Sequence, residues 1–170
     1  MILTSGGSRI CTGSMINNTS NNGTPYFLTA NHCLGGNNTW QFMFNYESPL
    51  CSPRTDGPTN QTVSNSTLKA NWSGSDFGLL QLSAAPPANY NAIYNGWNNG
   101  SAAADSTCVI HHPSGDIKKI SFDRQSPVSD TWSGTPANSH WRILNYESGT
   151  TEPGSSGSPL FDQNHRIVGQ

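Results

Sequence analysis

Three short stretches hold side chains whose types suit acyl transfer. Phe27-Leu28-Thr29-Ala30-Asn31-His32-Cys33 is an apolar run that delivers a histidine at its end. Imidazole titrates near neutrality, and a strand terminus would hold it rigidly enough to act as a general base. Ser75-Asp76-Phe77-Gly78-Leu79-Leu80-Gln81-Leu82 sets an acid directly before an apolar strand. A carboxylate buried at such a strand mouth needs a donor, and an imidazole N–H is a suitable one. Glu152-Pro153-Gly154-Ser155-Ser156-Gly157-Ser158-Pro159-Leu160 is a serine loop flanked by glycines. Its backbone can come close to a substrate carbonyl and point N–H groups at it. Each stretch by itself has a plainer reading: a histidine packed beside a disulfide, a turn residue before a strand, a Ser/Gly surface loop. Their order, His then Asp then Ser, points instead to a base, its orienting acid and a hydroxyl nucleophile.

Holding three such groups together requires rigid elements, and the chain reads as β throughout. Short runs with strand character are Cys11–Ile16, Tyr26–Ala30, Trp40–Tyr46, Thr67–Trp72 and Phe77–Leu82 in the first half. In the second half they are Thr107–His111, Ile117–Phe122, His140–Asn145, Ser158–Phe161 and Arg166–Gly169. Asn, Gly, Ser and Thr clusters separate them, as expected for antiparallel sheets joined by turns. Ser83-Ala84-Ala85-Pro86-Pro87-Ala88-Asn89 carries a proline pair and reads as a connection. The expected architecture is all-β, two antiparallel barrel-like halves: residues 1–82 carrying the His and Asp, a linker over 83–97, and residues 98–170 carrying the Ser.

Composition narrows the function classes. Only 11% of the 170 residues are charged and the formal net charge is −2, so no clustered basic footprint for nucleic acid is present. No stretch approaches the roughly 20 apolar residues of a membrane helix. Met1-Ile2-Leu3-Thr4-Ser5-Gly6 lacks the basic start and apolar run of a signal peptide, so a mature or truncated chain is expected. Four cysteines, Cys11, Cys33, Cys51 and Cys108, allow three complete pairings, and their irregular spacing does not suit a zinc ribbon. An even count in a polar chain leans towards an oxidising compartment, hence a secreted protein. His111 and His112 are consecutive in a strand-like run and should face opposite ways, which is poor geometry for one metal ion. No metal or cofactor is expected. Glu147 and Glu152 are not a placed carboxylate pair, so a glycosidase reading fails.

With these residues in view, the chain resembles chymotrypsin-fold serine proteases. The signatures stand as Thr29-Ala30-Asn31-His32-Cys33 and Gly154-Ser155-Ser156-Gly157-Ser158-Pro159. Within that fold it is most similar to the bacterial lysyl endopeptidases, through Thr151–Pro159, Cys11-Thr12-Gly13-Ser14 and Ile110-His111-His112-Pro113. The resemblance implies a triad of His32, Asp76 and Ser156 and an oxyanion hole from the backbone N–H groups of Gly154 and Ser156. It also implies a Cys11–Cys33 disulfide, with Thr150, Thr151 and Trp132 near the substrate pocket. Cys51 and Cys108 keep no assigned partner. Ser155 stands where many animal relatives carry an Asp that pairs with a new amino terminus, so the loop is expected to form without that ion pair. Two six-stranded barrels would need about twelve strands. The second half is therefore expected to be incomplete at its C-terminal end, leaving a fragment with the downstream pocket wall missing. The implied protein is a secreted, monomeric serine endopeptidase acting on polypeptides, without nucleic-acid or membrane partners and with a preference for lysine. A glutamyl-type endopeptidase and an inert protease-like binding module are the alternatives.

Overall fold

The computed structural model describes residues 1–52 and 55–170. The strands of the first half are β1 Ile2–Leu3, β2 Arg9–Cys11, β3 Ser14–Ile16, β4 Tyr26–Ala30, β5 Gln41–Met43, β6 Thr62–Ser64, β7 Ser66–Trp72 and β8 Phe77–Leu82. Those that follow are β9 Thr107–His111, β10 Lys119–Asp123, β11 Val128–Asp130, β12 His140–Arg142, β13 Leu160–Asp162 and β14 Ile167–Gly169. All strand pairs are antiparallel. Among the described residues the only helical segments are single 3-10 turns, which agrees with the all-β expectation.

The ladders run β2-β1-β5-β6 and β3-β4-β8-β7 in the first half, then β10-β9-β13-β14 and the pair β11-β12. They are linear rather than closed rings among the described residues. Alternation explains strands covered on one face: β8 buries every second residue, Gly78, Leu80 and Leu82, and β9 buries Thr107, Val109 and His111. The central strand β4 differs, because both of its faces are covered. Phe27 points into a core with Ile2, Met15, Trp40 and Leu80, its ring edge-on to Phe42 at 4.8 Å between centroids. Leu28 points the other way, onto Phe161 and Ile167 of the second half. Burying each such side chain is worth roughly 2 kcal/mol. One five-residue strand thus joins both cores and ends at the histidine motif.

The continuous strand expected over Cys11–Ile16 is interrupted at Thr12-Gly13. A Cβ on Gly13 would collide with the Phe27 ring and the Leu28 carbonyl. Thr12 turns its own N–H away from any ladder, to the Ser156 carbonyl at 2.9 Å. Segment 83–97 is tied to both halves. Asn95 N–H donates to Met15 O at 3.0 Å, and Trp97 bridges Ile167 in parallel.

Cys11 and Cys33 form a disulfide across 22 residues, while Cys51 and Cys108 are free thiols. Closing a loop of this size lowers unfolded-state entropy. Replacing both Cys11 and Cys33 by serine is expected to lower unfolding free energy by about 3 kcal/mol, measured by urea denaturation. The β4 terminus should then show the largest loss of amide protection.

Candidate active site

Strand β4 ends at Ala30, and one 3-10 turn, Asn31–Cys33, presents His32 to solvent while Cys33 turns inward to its disulfide. Leu34 N–H closes that turn on Asn31 O at 3.0 Å. Asp76 lies immediately before β8, in the left-handed region at φ 56°, a conformation Asp tolerates better than most residues. This geometry lets one residue grip the histidine turn at three points. Asp76 O accepts the Asn31 N–H at 2.5 Å, Oδ1 accepts the His32 N–H at 2.8 Å, and Oδ2 lies 2.5 Å from His32 Nδ1. A carboxylate only accepts, so Nδ1 carries the hydrogen and Nε2 is left as the basic nitrogen. The Asp76 side chain is 35% exposed, against the buried carboxylate expected. Its three contacts are made at the rim of a cleft, where β7 and β8 meet.

Ser156 lies in the tight segment between Glu152 and Ser158. Ser155 N–H donates to Glu152 O at 2.9 Å and Ser158 N–H to Ser155 O at 3.0 Å, closing two successive turns. Gly154 and Gly157 both have positive φ, 95° and 79°. At Gly157 any Cβ would strike Thr29 Oγ1, Thr12 O and Ala30 N, so this glycine is what lets the loop lie against β4. Thr12 fastens the loop from one side. Its hydroxyl donates to Gly154 O at 2.8 Å, and its N–H reaches Ser156 O.

His32, Asp76 and Ser156 line one cleft of about 540 Å³. Among the described residues no hydrogen bond reaches Ser156 Oγ, that of His32 included. Such contacts often close only when substrate is bound. Of the expected pocket residues, Thr151 and Trp132 line this cleft, and Trp132 is 71% exposed. Thr150 is exposed, and its carbonyl accepts a hydrogen bond from Ser121 Oγ at 3.0 Å. Trp141, Ile143 and Tyr146 complete an apolar wall absent from the sequence reading. Their spacing gave no sign of it, because they lie on and after the three-residue strand β12. Among the described residues the lining holds the carboxylates of Asp76 and Glu152 and no lysine or arginine. Cys11, His32 and Cys33 bring three potential metal ligand atoms together, but both sulfurs are used in the disulfide.

His111 and His112 are both buried and occupy different surroundings. His111 lies between Ser155 and Ser121. The His112 Nδ1–H donates to Asp116 O at 3.0 Å, and its ring stacks on Tyr46. Burial pushes both imidazoles below the usual histidine range, with nearby Glu152 opposing the shift at His111. His112 is pushed down to about 2, by burial first and then by neighbouring positive charge.

A family model described as the lysyl endopeptidase C-terminal domain matches residues 1–170. A lysyl endopeptidase of Pseudomonas aeruginosa is 36% identical over 177 residues, covering 95% of this chain and 36% of that protein. The chain thus spans about a third of the length of that relative. Among solved structures, a thermostable serine protease, AL20, from an extremophilic microorganism superposes with a TM-score of 0.61 at 14% identity, over 99% of this chain and 79% of that one. The HtrA-type protease AlgW with a tripeptide gives 0.60 at 14% identity, over 98% and 47%. These two likenesses carry the fold.

Two expectations follow from the packing. Gly157→Ala should cost the loop its place against β4, lowering hydrolysis by at least 100-fold in an esterase assay with a smaller change in thermal midpoint. The second concerns pH. A histidine held below its unfolded value contributes stability that is complete above about pH 6.5 and is lost as pH falls below it. His112, held near 2, should add up to roughly 1.4 kcal/mol per pH unit to that slope, and His111 acts in the same direction. His112→Asn keeps a donor for Asp116 O and should remove one histidine's share, read from urea melts between pH 4 and 7.

Proposed function

Because this chain belongs to the lysyl endopeptidase family, we propose that it is the catalytic part of a secreted serine endopeptidase acting on polypeptides through a Ser-His-Asp triad. The observation that carries the reading is the double grip of Asp76 on His32 at the edge of the cleft that Ser156 lines. Ser156 Oγ attacks the scissile carbonyl, and His32 Nε2 takes its proton. The N–H groups of Gly154 and Ser156 receive the charge that develops on the carbonyl oxygen. His32 then hands the proton to the leaving amine, and water repeats the sequence on the acyl-enzyme. Asp76 holds the ring in the Nδ1–H tautomer and stabilises the imidazolium that forms. Residues 1–82 supply base and acid, residues 98–170 supply the nucleophile, and 83–97 straps them together.

Lysine preference is supported by the cleft's charge. Two carboxylates, with no lysine or arginine among the described lining residues, favour a cationic substrate side chain and disfavour an acidic one. Trp132, Trp141 and Tyr146 offer apolar faces along which a lysine stem could lie. The Cys11–Cys33 bridge suits an oxidising compartment outside the cytosol. No helix among the described residues is long and apolar enough to cross a membrane.

A fluorophosphonate probe should label the full-length protein once, at Ser156, located by peptide mass spectrometry. Ser156→Ala should abolish labelling and lower kcat by roughly 10⁶-fold, and Asp76→Asn by roughly 10⁴-fold. A lysyl ester should be hydrolysed far faster than a glutamyl ester. An unlabelled protein would be an inert module, and preference for the glutamyl ester would reverse the specificity.

A further inference from the structure

Beneath the serine loop runs a buried chain of hydrogen bonds that the reaction scheme above does not use. Glu152 N–H donates to Ser155 Oγ at 3.2 Å, and Ser155 Oγ lies 2.7 Å from His111 Nδ1. His111 Nε2 lies 3.1 Å from Ser121 Oγ, which in turn is 3.0 Å from Thr150 O. Ser155 is 8% exposed, and His111 and Ser121 are 1% exposed each, so water does not compete for these bonds.

The hydrogens along the chain follow from its two ends. Thr150 O can only accept, so Ser121 gives it its hydrogen and has a lone pair left for His111. His111 therefore carries its hydrogen on Nε2 and accepts at Nδ1 from the Ser155 hydroxyl. Ser155 Oγ is then free to accept from Glu152 N–H. Every donor has an acceptor, in one direction, with a neutral ring.

Both ends of the chain lie in the loop segment that carries Ser156. Thr150 and Glu152 precede it, and Ser155 is its immediate neighbour in sequence. His111 belongs to β9 and Ser121 to β10, paired strands of one sheet. The chain thus bolts the loop to rigid sheet from below, while Thr12 fastens Gly154 O and Ser156 O from the other side. A loop clamped on both faces has little freedom to rotate the Gly154 peptide.

We propose that His111 is a positioning residue. As the neutral Nε2–H tautomer, it holds the Ser155 hydroxyl and so fixes the loop whose N–H groups face the developing oxyanion. This rests on the triad reading above. It involves no bond change at His111 and no contact with substrate. Its effect should fall on the transition state, because the ring reaches the cleft through Ser155 of the serine loop and makes no hydrogen bond to the apolar wall of Trp132, Trp141 and Tyr146.

The test compares Ser155→Ala, His111→Phe and His111→Asn in the full-length protein, with rates expressed per fluorophosphonate-titrated site. Ser155→Ala and His111→Phe should lower kcat on a lysyl ester by roughly 10²-fold or more, the scale of a displaced oxyanion donor, with KM within about threefold. An Asn amide oxygen can take the Nδ1 position, so His111→Asn should recover much of the loss. Independently of turnover, ¹⁵N-histidine NMR of the wild type should show a His111 ring protonated at Nε2 and bare at Nδ1. Wild-type kcat per titrated site in both severe variants, or a hydrogen on Nδ1, would overturn the assignment. Failure of the wild type to be labelled would instead sink the triad reading, and the NMR arm would still decide how the loop is held.

Discussion

The rest of the site depends on how Asp76 holds the His32 turn. An imidazole more than half exposed at the end of a strand would ordinarily sample several rotamers. Here the ring nitrogen and the backbone N–H of the same residue are both held by one carboxylate. The Asp76 carbonyl holds the preceding residue as well, and itself accepts Gln170 Nε2–H at 2.9 Å. The left-handed backbone of Asp76 makes this possible by bringing its carboxylate and carbonyl to the same turn. Orientation and tautomer of the His32 ring are thereby set by one residue.

Strand β4 does for the two halves what Asp76 does for the ring. Its Phe27 face belongs to the first core and its Leu28 face to the contact with Phe161 and Ile167. The same strand therefore carries the histidine turn and provides the floor against which Gly157 lies. Thr12 extends the coupling from the end of β2, where the Cys11–Cys33 bridge is anchored, to the carbonyls on either side of Ser155. The His32 turn and the serine loop are thus held by the same neighbouring elements, β4 and the end of β2. Each fixes its neighbour through backbone groups that cannot drift independently.

Much of this was legible in the sequence where a strand is long enough to show its period. Tyr26–Ala30, Phe77–Leu82 and Thr107–His111 have the expected bounds, because their apolar positions face packed cores. Strands such as Ile2–Leu3, Thr62–Ser64 and Val128–Asp130 have two or three residues and no period to read. The break at Thr12-Gly13 was invisible too, since it depends on a loop more than 140 residues away. At the site, His32, Asp76 and Thr151 stand on local motifs, and all three line the cleft with Ser156. The wall of Trp141, Ile143 and Tyr146, and the chain through His111 and Ser121, arise from sheet pairing. No local pattern encodes them.

A structure of the full-length protein after reaction with a lysine-like phosphonate tests the central claim most directly. Phosphorus should be bonded to Ser156 Oγ, with one phosphoryl oxygen within about 3 Å of the N–H groups of Gly154 and Ser156 and with His32 Nε2 turned towards the adduct. An adduct on another residue, or a phosphoryl oxygen directed away from that loop while His32 stays bound to Asp76, would contradict it.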